Sequence, residues 1–400
     1  MFNKKTLCFV MALVCVFIFV SCGSNELETR DNGVSKGEAE SETVSGSDEQ
    51  GIKAGQLTAG VWNDNANYNF WLTLNGNNSD NASFKALNKN LWGLYTEKRQ
   101  TVKVFSSGQA VYGEKVEITD SEGDVKASGV TDVSGLAYLF YNFENYETYS
   151  VNAGGVTETM VYGQTTEIEV TSFTEHKDAI DLMFVIDATG SMGDELTYIQ
   201  SEVTSVIERV KGNSQTSVRL GFVFYRDEGD DYITRLFDFS DDIDAQVKNL
   251  KQQSASGGGD YPEAVHKALS VAVNEAGWST DNTTKLIIHI LDAPPHDTVQ
   301  ISSAYKDEIY AAKEKGISII PVAASGVDTL TEYLLRSEAI LTGGDYVFIT
   351  DDSGIGNKHL EASVGKYVVE YLDSCLVRLI KGHHTGDYGT AVYYGNEVRQ

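Results

Sequence analysis

The chain has 400 residues, with 58 acidic against 31 basic side chains and a formal net charge of −27. Such an excess repels phosphate backbones and anionic headgroups, which excludes a nucleic-acid partner and a basic membrane-surface patch. Four cysteines and a hydrophobic fraction of 41% allow two domains and a sizeable core, and exclude a dense disulfide framework.

Lys4 and Lys5 precede an unbroken apolar run over residues 7–20. That run is shorter than the about 20 residues that cross a bilayer. A basic start, a short apolar stretch and a small residue before a break have the form of a secretory signal. Cys22 directly follows Ser21, so residues 1–21 resemble a lipoprotein signal, with Phe19 standing where leucine is usual. The resemblance implies export, acylation at Cys22 and lipid anchoring to a bacterial membrane, at the outer membrane or cell surface. An ordinary cleaved signal or an uncleaved anchor is the alternative. With Cys8 and Cys15 in the signal and Cys22 lipidated, only Cys375 remains. No intramolecular disulfide or cysteine zinc site can then form, and Cys375, in an apolar helical stretch, is expected to be a buried inert thiol.

Residues 22–55 hold no aromatic side chain and carry Glu38, Glu40, Glu42, Asp48 and Glu49. They read as a flexible, self-repelling acidic tether. Residues 56–99 are dense in aromatics, Trp62, Tyr68, Phe70, Trp71, Phe84, Trp92 and Tyr95 among them, separated by Asn and Gly. A loop-rich cap packed on a neighbouring domain is expected, with packing favoured over ligand binding. Residues 100–173 show short β-type runs, at 101–105, 115–119, 135–141, 148–151, 157–162 and 167–170. Asp120 to Gly123 and Asp132 to Gly135 supply turns between them. The spacing predicts a small β-sandwich of about six or seven strands. Residues 116–139 resemble the carboxypeptidase-regulatory-like and immunoglobulin-like sandwiches of bacterial surface proteins, which implies a spacer or adhesion module.

From residue 178 the pattern becomes α/β. Runs at 182–186, 218–225, 286–291, 317–323 and 346–349 are nearly continuous in apolar residues, as in strands buried on both faces of a mainly parallel sheet. Amphipathic stripes lie between them, including Leu196, Ile199, Val203, Val206 and Val210, then Val265, Ala268, Leu269 and Ala272, then Ile301, Tyr305, Ile309 and Ala312. Residues 233–239 follow a strand too closely for a crossover helix and are expected as an antiparallel edge strand. The result is a doubly wound sheet of about six strands over residues 178–380, with its ligand crevice at the carboxyl ends of the strands. A last helix is expected over about 358–380, followed by a tail at 381–400 in which His383 and His384 are solvated.

The first strand of this region ends in Asp187-Ala188-Thr189-Gly190-Ser191. After a buried strand and before a helix, this run resembles the metal-ion-dependent adhesion site of von Willebrand factor A domains. Ser256-Gly257-Gly258-Gly259-Asp260-Tyr261-Pro262-Glu263 and Leu291-Asp292-Ala293-Pro294-Pro295-His296 match the positions of that family's two later loops. The resemblance implies one divalent cation, Mg²⁺ or else Mn²⁺ or Ca²⁺, held by Asp187, Thr189, Ser191, Asp260 and Asp292, with Asp187 acting through water. The residue types suit a hard cation, which takes an octahedron of oxygens and keeps several waters. Asp260 departs from the family's threonine; a third carboxylate would hold the ion more firmly and leave it less electrophilic. His296 and Asp227 are candidates for orienting these ligands.

Other features rank below this one. The turn Tyr225-Arg226-Asp227, with Glu228, Asp230 and Asp231, reads as a solvated hairpin before a second metal site, and His289 as a satisfied core residue. Asn63, Asp64 and Asn65, and the Asn75 to Asp80 stretch, lack calcium-loop spacing. Three functions then compete. A surface binding module would engage a protein or matrix ligand, through an acidic side chain of the partner, in a cation-dependent way. A non-catalytic scaffold subunit of an envelope complex is the alternative. A hydrolase ranks last, because Thr189 stands where an acid should follow an Asp187 nucleophile and no Gly-x-Ser-x-Gly or phosphate-binding loop is present. The expectation is a protein that is not an enzyme.

Overall fold

The chain contributes to its largest sheet earlier than expected. In the computed structural model, β1 (Thr58–Trp62) is followed by two short helices, α1 (Tyr68–Asn75) and α2 (Ala82–Leu87). The structure describes residues 53–76, 82–87, 91–144, 147–212, 215–356, 358–395 and 398–399, all within the unit Gly51–Gln400. The signal sequence, Cys22, the tether up to residue 52, and Asn77 to Asp80 lie outside the described residues. No helix among the described residues is long and apolar enough to cross a membrane.

Eight strands then build the sandwich. They are β2 (Arg99–Ser106), β3 (Gln109–Ala110), β4 (Lys115–Thr119), β5 (Val125–Val130), β6 (Leu136–Phe140), β7 (Ser150–Ala153), β8 (Val156–Thr159) and β9 (Thr166–Glu169). One sheet has the order β3-β2-β6 with β9 also pairing β2; the other runs β5-β4-β7-β8. Burial along β2 alternates residue by residue, as the period of a half-buried strand requires. Val102, Val104, Val116, Ile118, Leu139, Val151 and Ile168 meet between the sheets.

The chain returns to the large sheet with β10 (Ala179–Asp187), α3 (Gly193–Lys211), β11 (Ser217–Tyr225), β12 (Thr234–Ser240) and α4 (Ile243–Lys251). It continues through α5 (Val265–Ser270), β13 (Thr284–Leu291), α6 (Val299–Glu314), β14 (Ile317–Ala323), α7 (Thr329–Thr342) and β15 (Tyr346–Ile349). The end of the chain adds β16 (Tyr367–Val368), β17 (Glu370–Tyr371), α8 (Leu372–Thr385) and β18 (Val398–Arg399). The sheet has eight strands in the order β12-β11-β10-β13-β14-β15-β1-β17. Strands β11, β10, β13, β14 and β15 are mutually parallel, and β12 is an antiparallel edge strand as expected. Helices cover both faces over two large apolar clusters. The fold is therefore a mixed α/β sheet flanked by helices and preceded by a β-rich region, as the residue pattern predicts.

Three expectations need correction. Residues 56–99 are not a loop-rich cap: β1 pairs antiparallel with both β15 and β17, so the sandwich is inserted between the first strand of the sheet and the rest. The aromatics of this segment pack inward. Trp71 stacks on Tyr333 at 6.3 Å and Phe84 meets the same ring edge-on at 5.6 Å, covering α7, which is buried from Thr331 to Thr342. The last helix begins at Leu372 rather than near 358, because residues 367–371 form β16 and β17. His383 and His384 lie on that helix and are buried, with His383 Nε2 2.9 Å from Asp345 Oδ2 and His384 Nδ1 2.8 Å from Thr284 Oγ1. These partners, with Asp178 Oδ1 3.0 Å from His384 Nε2, hold both rings inward. Cys375 is a free, buried thiol, as expected.

Candidate metal centre

Parallel pairing places the carboxyl ends of β11, β10 and β13 side by side. Asp187 is the last residue of β10 and pairs with Tyr225, while Ile186 pairs with Ile290, two residues before Asp292. The chain leaves β10 for one neighbour and returns to the other side at β13. This is the switch point at which open α/β sheets present a crevice.

At that point the Asp187 carboxylate folds its own loop. Asp187 Oδ1 accepts from Thr189 N at 2.8 Å and Thr189 Oγ1 at 2.7 Å, and Thr189 Oγ1 lies 3.2 Å from Ser191 Oγ. The Ser191 hydroxyl in turn favours the ionised form of Asp292. Four of the five expected ligands are thus brought together: Asp187, Thr189, Ser191 and Asp292. Burial raises the carboxyl affinity for protons at Asp187, and the negative charge of Asp292 raises it further. Asp292 is shifted in the same direction, by burial and by Glu195. Asp187 Oδ2 and Asp292 Oδ1 are buried and have no hydrogen-bond partner among the described residues. Unpaired buried carboxylates are costly, and natural structures rarely keep them without a counter-ion.

The second loop arrives differently. Asp260 is exposed and is not among the charges acting on Asp187 or Asp292. It falls with Asp227 and His296, whose ligand atoms and its own lie within 4.8 Å of one another. Glu263 is the acid from this loop that turns inward. It is 2% exposed, its Oε2 has no partner among the described residues, and its pKa is pushed up to about 9. Burial is the main cause, followed by the charges of Asp187, Asp227, Asp292 and Asp230. Glu263 is held in place by its backbone N, which donates to Pro294 O at 2.9 Å and ties the second loop to the third. The residue was visible in the Gly-Gly-Asp-x-Pro-Glu pattern, but an acid next to a proline at a helix start has an ordinary reading as a first-turn charge.

The glycines of this loop are structural. Gly258 has a φ of +72°, and a Cβ there would lie 2.9 Å from Glu263 Oε1 and 3.3 Å from Thr189 Cβ. Gly257, at φ +84°, would strike the Asp230 carboxylate at 2.4 Å. Backbone contacts explain the tightness: Gly190 N donates to Gly257 O at 3.0 Å and Ser256 N to Ala188 O at 3.0 Å. The Tyr225-Arg226-Asp227 turn is likewise no solvated hairpin. Arg226 is buried and donates to Ala188 O at 3.2 Å and Ser254 O at 2.9 Å, and Asp230 Oδ2 accepts from Gly258 N and Asp227 N. Asp230 serves the neighbouring loop and Asp227 meets His296, while Glu228 and Asp231 face solvent as expected.

Beneath the crevice a second polar layer continues into the core. The Tyr225 hydroxyl is buried and sits in the field of Asp187, Asp292, Glu263 and Glu338, so burial and those charges hold its proton firmly. His289 Nδ1 lies 2.9 Å from Glu338 Oε2, and Tyr305 donates to Glu338 Oε1 at 2.6 Å. His289 is a core residue, as expected, but only half satisfied: Nδ1 meets Glu338 while Nε2 has no partner among the described residues.

The oxygen-only donor set at the end of β10 suits a hard divalent cation, and its two orphaned carboxylate oxygens are what such an ion would satisfy. The fold and this crevice define a class. Residues 181–358 match the family model of the von Willebrand factor type A domain, and the chain contains such a domain. Among characterised proteins, the Alpha-protein kinase vwkA of Dictyostelium discoideum is 32% identical over 129 residues, 32% of this chain and 20% of that protein. The human von Willebrand factor A domain-containing protein 7 is 32% identical over 119 residues, 30% of this chain and 12% of that protein. The chain thus spans a fifth or less of the length of these relatives. Among solved structures, the conserved hypothetical protein BatB from Bacteroides thetaiotaomicron is similar over 45% of this chain and 91% of its own, at 15% identity and a TM-score of 0.33.

Proposed function

We propose that this protein is an exported, lipid-anchored binding module that engages a protein or matrix partner through a divalent cation held by its A domain. The observation that carries the reading is the pair of buried, unpartnered oxygens, Asp187 Oδ2 and Asp292 Oδ1, beside the Thr189 and Ser191 hydroxyls. Thr189, Ser191, Asp187 and Asp292 would hold Mg²⁺, Mn²⁺ or Ca²⁺. Such an ion supplies an electrophilic point to which an acidic side chain of a partner can bind. Anchoring at Cys22 and a place at the outer membrane or cell surface belong to the same proposal, supported by the form of residues 1–22. Non-catalytic adhesion or assembly is the role that A-domain architecture fits.

Glu263 favours a second reading. With Asp187 and Asp292 it makes three buried acids near one +2 ion, which leaves less positive field for an outside carboxylate. An ion neutralised in this way would mainly stiffen the loops of a scaffold subunit in an envelope complex.

Thermal unfolding in Mg²⁺, Mn²⁺ and Ca²⁺, followed by capture of matrix proteins with and without chelator, tests both readings. Stabilisation by one ion that Asp292→Ala abolishes is expected. Chelator-sensitive capture supports adhesion, and stabilisation without such capture supports the scaffold. No ion effect on the wild-type chain would sink both.

A further inference from the structure

A second cluster lies beside the first and differs in chemistry. Asp227, Asp260 and His296 each offer a ligand atom, and all three atoms lie within 4.8 Å of one another. Ligand atoms about 2.0–2.2 Å from a shared ion can be no more than roughly 4.4 Å apart, so small side-chain rotations suffice. Three separate segments supply them: the turn after β11, the glycine loop before α5 and the loop after β13. Asp227 is buried, with its Oδ1 2.9 Å from His296 Nε2. A proton held between those atoms occupies a position that a metal would take. Asp260 stands on the open side, where an ion could enter.

Two further groups point to a ligand here. Glu263, 2% exposed, keeps Oε2 unpartnered among the described residues while lying in the field of Asp187 and then of Asp227, Asp292 and Asp230. His266, 7% exposed, keeps Nδ1 unpartnered among the described residues; Lys267 is the largest charge acting on it, followed by Glu228, His296 and Asp227. Neither belongs to the Ser191 loop.

We infer that Asp227, Asp260 and His296 form a second cation site, selective for a transition metal such as Zn²⁺. Imidazole is the deciding ligand. A nitrogen donor with two carboxylates suits Zn²⁺ or Co²⁺, whereas the oxygen-only neighbour suits Mg²⁺ or Ca²⁺. The two sites differ in ligand type and in metal, so each is addressed by its own ion. The inference does not rest on the adhesion reading, since its ligands are distinct and its ion is different.

The test titrates the purified full chain with Co²⁺ in the presence of saturating Mg²⁺, reading visible d–d absorption and bound metal per chain, and repeats it with Zn²⁺. One Co²⁺ per chain with nitrogen-ligand absorption is expected, displaced by Zn²⁺. His296→Ala and Asp260→Ala, both at positions with solvent access, should weaken it at least about tenfold and leave any Mg²⁺ response intact. Asp292→Ala should remove the Mg²⁺ response and keep the Co²⁺ spectrum. Co²⁺ binding that is unchanged in His296→Ala, or absent from the wild-type chain under Mg²⁺, overturns the inference.

Discussion

Two buried groups of charged side chains, one around Arg336 of α7 and one at the ends of β10 and β13, are built on opposite plans. Arg336 is wholly buried and bonds Asp64 through Nε at 2.9 Å and Nη2 at 2.7 Å, with Ser363 O at 2.6 Å and Glu332 at 3.4 Å. Trp71, Phe84 and Tyr346 close around its guanidinium. The Asp187, Asp292 and Glu263 group has comparable burial, but the largest charges acting on it are other acids, and among the described residues no basic side chain bonds these three carboxylates. One cluster carries its own arginine, with Glu332 Oε2 the oxygen left unbonded among the described residues, and the other has no such cation bonded to it. Desolvated charge must be balanced by a proton or a counter-ion, and the second group is where the proposed cation would do so.

The largest effect should come from spoiling the arginine cluster. Arg336→Ala leaves Asp64 and Glu332 without their cation and should cost about 3–5 kcal/mol in urea unfolding. A loss too small to measure would remove the contrast. The acidic cluster should respond in the opposite sense. Asp187→Asn in chelator is expected to be at least as stable as wild type, because repulsion is relieved. Adding Mg²⁺ to about a hundred times its Kd should stabilise wild type by about 2.7 kcal/mol and leave Asp187→Asn unmoved.

Acidity sharpens the same comparison. Glu263 holds its proton to about 9 when folded but releases it in the ordinary carboxylate range when unfolded. Between those limits the folded chain carries more protons, so metal-free stability should fall as pH rises. Unfolding midpoints in chelator at pH 5 and 7 should show that decline in wild type and a shallower one in Glu263→Gln. The smallest effect concerns Lys313, which lies over the Phe140 ring where the sandwich meets α6, its pKa lowered by burial to about 7. Lys313→Met should raise stability at pH 6 by on the order of 1 kcal/mol, and a clear loss would show that its charge is needed there.

How much of this was legible depends on whether the signal was local. The parallel strands announced themselves because both faces are buried and the runs are continuously apolar, and Asp187, Thr189 and Ser191 sit close enough in sequence to be read together. β1 gave no such sign. Its five residues include Gly60, and its place in the sheet depends on pairing with β15 far along the chain. Asp260 and Glu263 are three residues apart, and only the φ values at Gly257 and Gly258 decide which one turns inward. The burial of His383 and His384 rests on Asp345, Thr284 and Asp178, which are distant in sequence.

The early strand has a mechanical consequence. Glu202 on α3 accepts the backbone N–H groups of Gly55, Gln56 and Leu57, and β1 then runs between β15 and β17. Tension applied through the residues before Gly55 would load that grip and the β1 ladder in shear, with many bonds sharing the force. The sandwich, inserted as a side branch after β1, lies off the line of pull and would keep its shape while the A-domain sheet bears the strain.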